Sequence, residues 1–391
     1  MTVRALAVLF AALATQRPPA VPAAQDIAPP GHAEVIARGL DPKSWQRDFP
    51  VQYDQWRTPS RIEPEWREQR GHAFSLKDRD ESGPGGDARW AILRAGRPKL
   101  RPLPAACLEC HASETPTGSN YWAARARAKT PVACIRCHSG WGAGFSARTA
   151  SALPPAPPKP AVETCAGCHT EYYVEDGRVM RPDAAFLSAG AAAGGSKPPD
   201  THVPDARSIE RYYDRVRRTD WTHPATGAGL IEPRHPQAQM FSAGPHAANH
   251  AGCPDCHMPK DPRGVSDHRM TNPLERIDAA CARCHRLAAA ELRARGRAIQ
   301  ERTDAANSRA LDAVVDLVAA IREAAASGAP ASRLAEARAY HRRAQWRIEF
   351  VEADRSRGFH APDETGSLLL EAIDCARRGR LAAGAGVRPA R

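Results

Sequence analysis

The chain has 391 residues and a formal net charge of +11, length enough for two ordinary domains, yet aromatic residues make up only 6% of it. Its 11 cysteines could suggest a disulfide framework, but ten of them fall into five copies of one pentapeptide, which excludes that reading and leaves only Cys375. The basic excess would suit a nucleic acid or an acidic membrane surface, and by itself it selects neither.

In chain order, Met1–Arg4 precedes an apolar run from Ala5 to Ala14 and a Pro/Ala-rich passage. The run has the length of a signal-peptide core and is too short to span a bilayer, so residues 1–24 read as a signal peptide cleaved after Ala24, which places the mature chain in the periplasm. Residues 25–60 show no sustained period, and helical signals begin near Pro64–Arg70. Ser82–Asp87, Ser-Gly-Pro-Gly-Gly-Asp, is strong turn chemistry. Leu153–Pro160 reads as a stiff Pro-rich connector, and Ser188–Pro199 as a Gly/Ala/Pro linker. From Arg286 to about Ala325 apolar residues recur at helical spacing, including Leu311, Val314, Val315, Leu317, Val318 and Ile321. Ser327–Pro330 ends that helix; a second runs from about Ser332 to Arg357 and stops at Gly358, and a shorter one follows Pro362. These signals predict a mainly α fold with residues 25–285 as one motif-bearing region and 286–391 as a C-terminal long-helix hairpin. The two form one structural unit, with the hairpin as a dimer contact.

The repeated pentapeptide is Cys-x-x-Cys-His, at Cys107-Leu-Glu-Cys110-His111, Cys134-Ile-Arg-Cys137-His138, Cys165-Ala-Gly-Cys168-His169, Cys253-Pro-Asp-Cys256-His257 and Cys281-Ala-Arg-Cys284-His285. This pattern attaches c-type haem: on one helical turn the two thiols add to the haem vinyl groups and the His reaches the iron. A zinc site separates its cysteine pair from its histidines by a longer spacer. The fold is therefore expected to be organised around five covalently bound haems, whose macrocycles replace the missing aromatic area. Their propionates also account for much of the excess arginine, because the planar guanidinium suits carboxylates. No nucleic-acid partner is needed.

Several ordered segments beside these motifs resemble one family, the ammonia-forming pentahaem cytochrome c nitrite reductases. They are Arg70-Gly-His72-Ala-Phe74, Leu93-Arg94-Ala-Gly96, Cys168-His169-Thr-Glu171-Tyr172-Tyr173, His235-Pro236, Ala243-Gly-Pro-His246, Cys256-His257-Met-Pro-Lys260, Asp267-His268, Ala344-Gln-Trp-Arg347 and His360-Ala-Pro362. The resemblance implies four distal iron ligands: His72 for the third haem in sequence, His246 for the fifth, His268 for the second and His360 for the fourth. It leaves the haem at Cys107–His111 open, which is where small ligands react. It further implies that Arg94, Tyr172 and His235 line that position, with charge for an anion, a phenol O–H and a proton donor. The implied reaction is the periplasmic six-electron reduction of nitrite to ammonia. Electrons would come from a membrane quinol-oxidising multihaem cytochrome or a soluble multihaem donor, and the chain would act as a homodimer. The chain ends soon after His360, which implies a shorter dimer contact.

Two positions depart from the family pattern. Most members carry lysine where this chain has His111, so this is the variant with Cys-x-x-Cys-His at the active haem. Members also bind calcium through Glu171, the Tyr172 carbonyl and a glutamine directly before His235, where this chain has Arg234. A guanidinium cannot ligate a cation, so calcium is not expected and Arg234 is expected to replace it, paired with Glu171. Two other readings remain open at this point. In one the chain is an electron conduit, with His32, His202, His223, His250 or His341 capping the first haem; in the other it is a same-scaffold reductase preferring hydroxylamine or sulfite.

Overall fold

The computed structural model describes residues 41–58, 71–75, 87–98, 105–113, 128–138, 161–176, 178–182 and 203–384. The signal segment, the helix near Pro64–Arg70, most of the Ser82–Asp87 turn, the connector 153–160, the linker 188–199, His32 and His202 lie outside the described residues. The protein is mainly helical. Among the described residues the paired strands are two short antiparallel hairpins, β1 (Tyr173–Glu175) with β2 (Arg178–Met180), and β3 (Trp221–Thr222) with β4 (Gly229–Leu230).

Five helices position everything else: α1 (Ala88–Leu93), α2 (Ala206–Arg215), α3 (Ala289–Ala326), α4 (Ala331–Asp354) and α5 (Pro362–Ala382). Helix α3 forms because Ala, Leu, Arg and Glu are good helix formers and its apolar residues keep one face. Leu311, Val314, Leu317, Val318 and Ile321 are all buried on that face. Gly328, at φ +75, ends the helix, and Pro330 leads directly into α4. Helix α4 stops at Arg355 in the left-handed conformation, φ +65, three residues short of Gly358. The expected hairpin is therefore present, but it does not stand alone. Helix α5 is 21 residues long and buries Leu368, Leu369, Ala372 and Ala376 against α3 and α4. A three-helix bundle results, because α5 presents small residues where the other two helices approach.

Helix α2 completes this core. Asp205 caps it by accepting the Ser208 N–H at 2.6 Å, and Ile209, Tyr212 and Tyr213 turn inward. Tyr213 meets Trp346 of α4 edge-on at 5.5 Å, and the Trp346 indole N–H donates to the Ala206 carbonyl at 3.0 Å. The buried Arg347 joins Glu210 and Glu371 at 2.9 Å each, so the charge that α4 carries into the core is paired on two sides. Among the described residues no helix is long and apolar enough to cross a membrane.

Candidate active site

Each Cys-x-x-Cys-His motif occupies one helical turn. Leu108–His111, Cys134–His138 and Cys253–His257 are short helices, while His169 N–H donates to Cys165 O at 2.8 Å and His285 N–H to Cys281 O at 3.0 Å. The turn sets the thiols and the imidazole side by side, as attachment to one macrocycle requires. The motifs also adjoin one another. Cys110 lies against Cys168, and Cys165 against Cys253. Cys256 lies near Cys281 and Cys284, and Cys137 near Cys168. The attachment points thus run from the first motif through the third and fourth to the fifth, with the second beside the third.

Four motif histidines face a second histidine. His169 and His72 have ring centres 6.3 Å apart, His138 and His268 6.2 Å, His257 and His360 6.4 Å, and His285 and His246 6.2 Å. Two imidazoles bonded to opposite sides of one metal atom at about 2 Å stand about 6 Å apart between centres. Several rings are also anchored through Nδ1: His111 to Ser75 O at 3.0 Å, His257 to Thr271 O at 3.2 Å, His268 to Ser266 O at 2.8 Å, and His360 to Asp354 Oδ1 at 2.7 Å. An Nδ1 anchor fixes the ring and leaves Nε2 for a metal. Burial first, and the neighbouring imidazole second, hold His138 and His257 at about 4, in the neutral form that ligates. This donor set fits haem.

The backbone that presents these rings is specified locally. His72 opens a 3-10 turn, His72–Phe74, and Ser75 follows it. Ser75 Oγ donates to the His111 carbonyl at 2.6 Å and accepts the Val132 N–H at 2.9 Å. One turn therefore serves the third motif through His72 and the first through Ser75. Gly244 passes so close to the His360 carbonyl that a Cβ there would collide with it, which explains why glycine stands two residues before His246.

The first motif differs from the other four. Its His111 ring lies 6.4 Å from His235, but His235 is equally close, 6.2 Å, to His169, which already faces His72. His235 stacks on Tyr172 at 5.9 Å with the rings 9° from parallel, and its backbone is left-handed at φ +55, a strained conformation that recurs at functional sites. Tyr172 is buried, and burial pushes its phenol well up, so it stays protonated. Tyr172 and His235 are thus brought together opposite His111.

Arg94 has its guanidinium engaged by a buried carboxylate. It caps α1, lies 4.0 Å over the Trp90 ring, and its Nε and Nη2 donate to the two carboxylate oxygens of Glu349 at 2.9 and 2.6 Å. Such a bidentate, charge-assisted pair is strong and fixes the plane of the guanidinium. Gly96, at φ +76, makes the turn after Arg94; a Cβ there would lie 2.8 Å from Pro224.

The expected pairing of Arg234 with Glu171 is made by the main chain rather than by the guanidinium. Glu171, fully buried, accepts the Arg234 main-chain N–H at 2.5 Å and the Tyr213 O–H at 2.9 Å. The guanidinium instead reaches Glu232 at 3.1 Å and lies 3.9 Å from Asp220. Arg97 pairs with Glu232 and Arg218 with Asp220, so three acids and three arginines are interleaved. The carboxylates of this cluster are thus met by guanidinium, phenol and main-chain N–H groups.

Of the alternative caps for the first haem, His223 and His341 are engaged inside the fold. His223 Nε2 meets the Ile92 carbonyl at 2.8 Å, while His341 bonds to Thr226 Oγ1 and Gln345 Oε1 at 3.1 Å each. His250 is exposed. Ser75 and Glu349 are functional neighbours that the sequence reading missed. Ser75 follows the Arg70–Phe74 segment directly, and Glu349 follows Trp346-Arg347, so proximity to those segments was the available signal.

A family model described as Cytochrome c552 matches residues 158–387. The cytochrome c-552 of Aliarcobacter butzleri is 30% identical over 342 residues, covering 80% of this chain and 65% of that protein. That of Haemophilus ducreyi is 28% identical over 347 residues, covering 79% and 64%. The chain thus spans just under two thirds of the length of these relatives. A cytochrome c nitrite reductase from Desulfovibrio desulfuricans, described with two calcium sites in its catalytic subunit, has a similar fold, with a TM-score of 0.62 at 21% identity over 88% of this chain and 86% of that one. The matched region contains three of the five haem-attachment motifs and the three-helix bundle, and on that evidence the chain belongs to the cytochrome c552 family of multihaem cytochromes with covalently bound c-type haem.

Proposed function

We propose that this chain is a periplasmic pentahaem reductase that converts nitrite to ammonium at the haem held by Cys107, Cys110 and His111. Four further haems would be held by the pairs His138/His268, His169/His72, His257/His360 and His285/His246. The observation that carries this reading is the asymmetry of the five motifs. Four of the histidines each face one imidazole across a gap of about 6 Å, whereas His111 faces a stacked Tyr172–His235 pair whose imidazole is shared with His169.

Haem supplies redox-active iron at the reacting position and, along the adjoining motifs, a route for single electrons. Nitrite, eight protons and six electrons give ammonium and two waters. The residues of the chain supply charge and protons. Arg94 would contribute charge for an anion, His235 can protonate a departing nitrite oxygen, and the protonated Tyr172 phenol offers a hydrogen bond. Calcium has no part in this scheme, because Arg234 supplies the positive charge among Glu171, Asp220 and Glu232. Electrons would arrive from a quinol-oxidising membrane cytochrome or a soluble multihaem donor, and the three-helix bundle would form the contact of a homodimer. Hydroxylamine or sulfite would use the same open position.

One observation favours a second reading. The 6.4 Å between His111 and His235 equals the separation within the other pairs, so His235 could cap the first iron and make the chain an electron conduit. Low-temperature EPR of the oxidised protein, with and without nitrite, separates the two. A high-spin ferric signal from one haem in five that changes with nitrite supports the reductase. Five low-spin signals indifferent to nitrite would reject it in favour of the conduit.

A further inference from the structure

Helix α4 buries a polar stripe. His341, Gln345 and Glu349 recur at every fourth residue with 0%, 0% and 4% exposure, among Trp346, Ile348 and Phe350. Buried polar groups persist only where they are paired, and this stripe is paired toward the last turn of α1. Gln345 Nε2 donates to the Leu93 carbonyl at 2.8 Å. His341 backs Gln345 from the other side, and Glu349 holds the Arg94 fork. From the β3–β4 hairpin, His223 meets the Ile92 carbonyl. Carbonyls at the end of a helix lack intrahelical partners and are ordinarily met by caps or water. Here three successive residues, Ile92, Leu93 and Arg94, are gripped by buried side chains from two other elements.

We propose that Glu349 is a positioning residue for anion binding: its bidentate contact sets the plane and place from which Arg94 serves the pocket, while Gln345 and His223 hold the turn beneath it. This rests on the reading of Arg94 as part of the nitrite site. Stability alone gives a weak reason for the pair, since a buried ion pair adds little over an apolar replacement. The sign of one substitution separates positioning from simple charge neutralisation. Were Glu349 only a counter-charge, Glu349→Gln would raise the local positive potential and tighten nitrite binding. Loss of position weakens it instead.

The experiment titrates nitrite into the oxidised holoprotein and follows the optical and EPR change, so the readout is a Kd and needs no turnover. Glu349→Gln is expected to weaken nitrite roughly tenfold and Glu349→Asp, which keeps the carboxylate one methylene short, by less. In an Arg94→Gln background neither change should have further effect, because contacting residues are coupled. Unchanged or tighter binding in Glu349→Gln, or equal weakening with and without Arg94, overturns the proposal. If Glu349→Gln does not yield holoprotein, Glu349→Asp carries the same comparison. If Arg94→Gln alone leaves the nitrite Kd as it was, the pocket reading of Arg94 fails, and the positioning inference falls with it, by an arm distinct from the Glu349 arms.

Discussion

The three-helix bundle and the motif-bearing region are built on different principles. In the bundle, long helices bury Leu, Val, Ile, Trp and small residues against one another, and the apolar stripe of α3 explains its packing without further help. In the motif region, helices of four to six residues carry cysteines and histidines that face each other. Two kinds of core therefore share one chain, one made by side chains and one completed by a prosthetic group, and they should respond differently to the same insult.

The largest difference is expected from Trp346→Ala. Removing a fully buried indole that spans α4 and α2 should cost about 3–5 kcal/mol, read as a lower midpoint in urea unfolding followed by far-ultraviolet circular dichroism. The haem absorption spectrum of the folded variant should be unchanged. A spectrum altered as strongly as the midpoint would show that the two cores are not separable.

Arg234→Gln tests the motif side, where charge rather than packing holds the pocket. Nitrite turnover should fall about 10–100-fold, the usual size for a residue that supports a site from behind, and added calcium should restore part of it by using the vacated carboxylates. Elemental analysis gives the complement. Stoichiometric calcium in the purified protein, unaffected by Arg234→Gln, would mean that the guanidinium has not taken the place of the ion.

The smallest effect lies at the seam between the two regions. Burial first, and His223 second, hold His341 at about 3, below the ordinary imidazole value of 6.5. Between those values the unfolded chain takes up a proton that the folded protein refuses. Stability from this residue is therefore full above about pH 6.5 and falls with acidification by about 1.4 kcal/mol per pH unit, or about 2 kcal/mol by pH 5. His341→Gln should flatten that slope in urea unfolding measured across the same range. A slope identical to the parent protein would place the acid sensitivity elsewhere.

These contrasts also mark what can be read without coordinates. The five motifs are legible because haem attachment needs its two bonding sulfurs and one ligating nitrogen within one helical turn. The long helices are legible because apolar spacing is a local property of α3 and α4. The shorter helix after Pro362 was visible, but its role as the third member of the bundle was not, since only the approach of α3 and α4 gives Ala372 and Ala376 their purpose. The partner of Arg94 was illegible in the same way. Glu349 stands far along the chain, and nothing near Leu93–Gly96 distinguishes a guanidinium reaching a pocket from one held by a carboxylate.

By itself, then, the amino-acid sequence determined the covalent chemistry, the helical class and the residues from which a reactive site could be drawn, because each of these is written in contiguous residues. Tertiary structure alone decided which imidazoles face one another, that Ser75 orients His111, that Arg234 turns to Glu232 and Asp220, and that Arg94 rests on Glu349. Those outcomes depend on distances between segments far apart in the chain, and such distances exist only once the chain has packed.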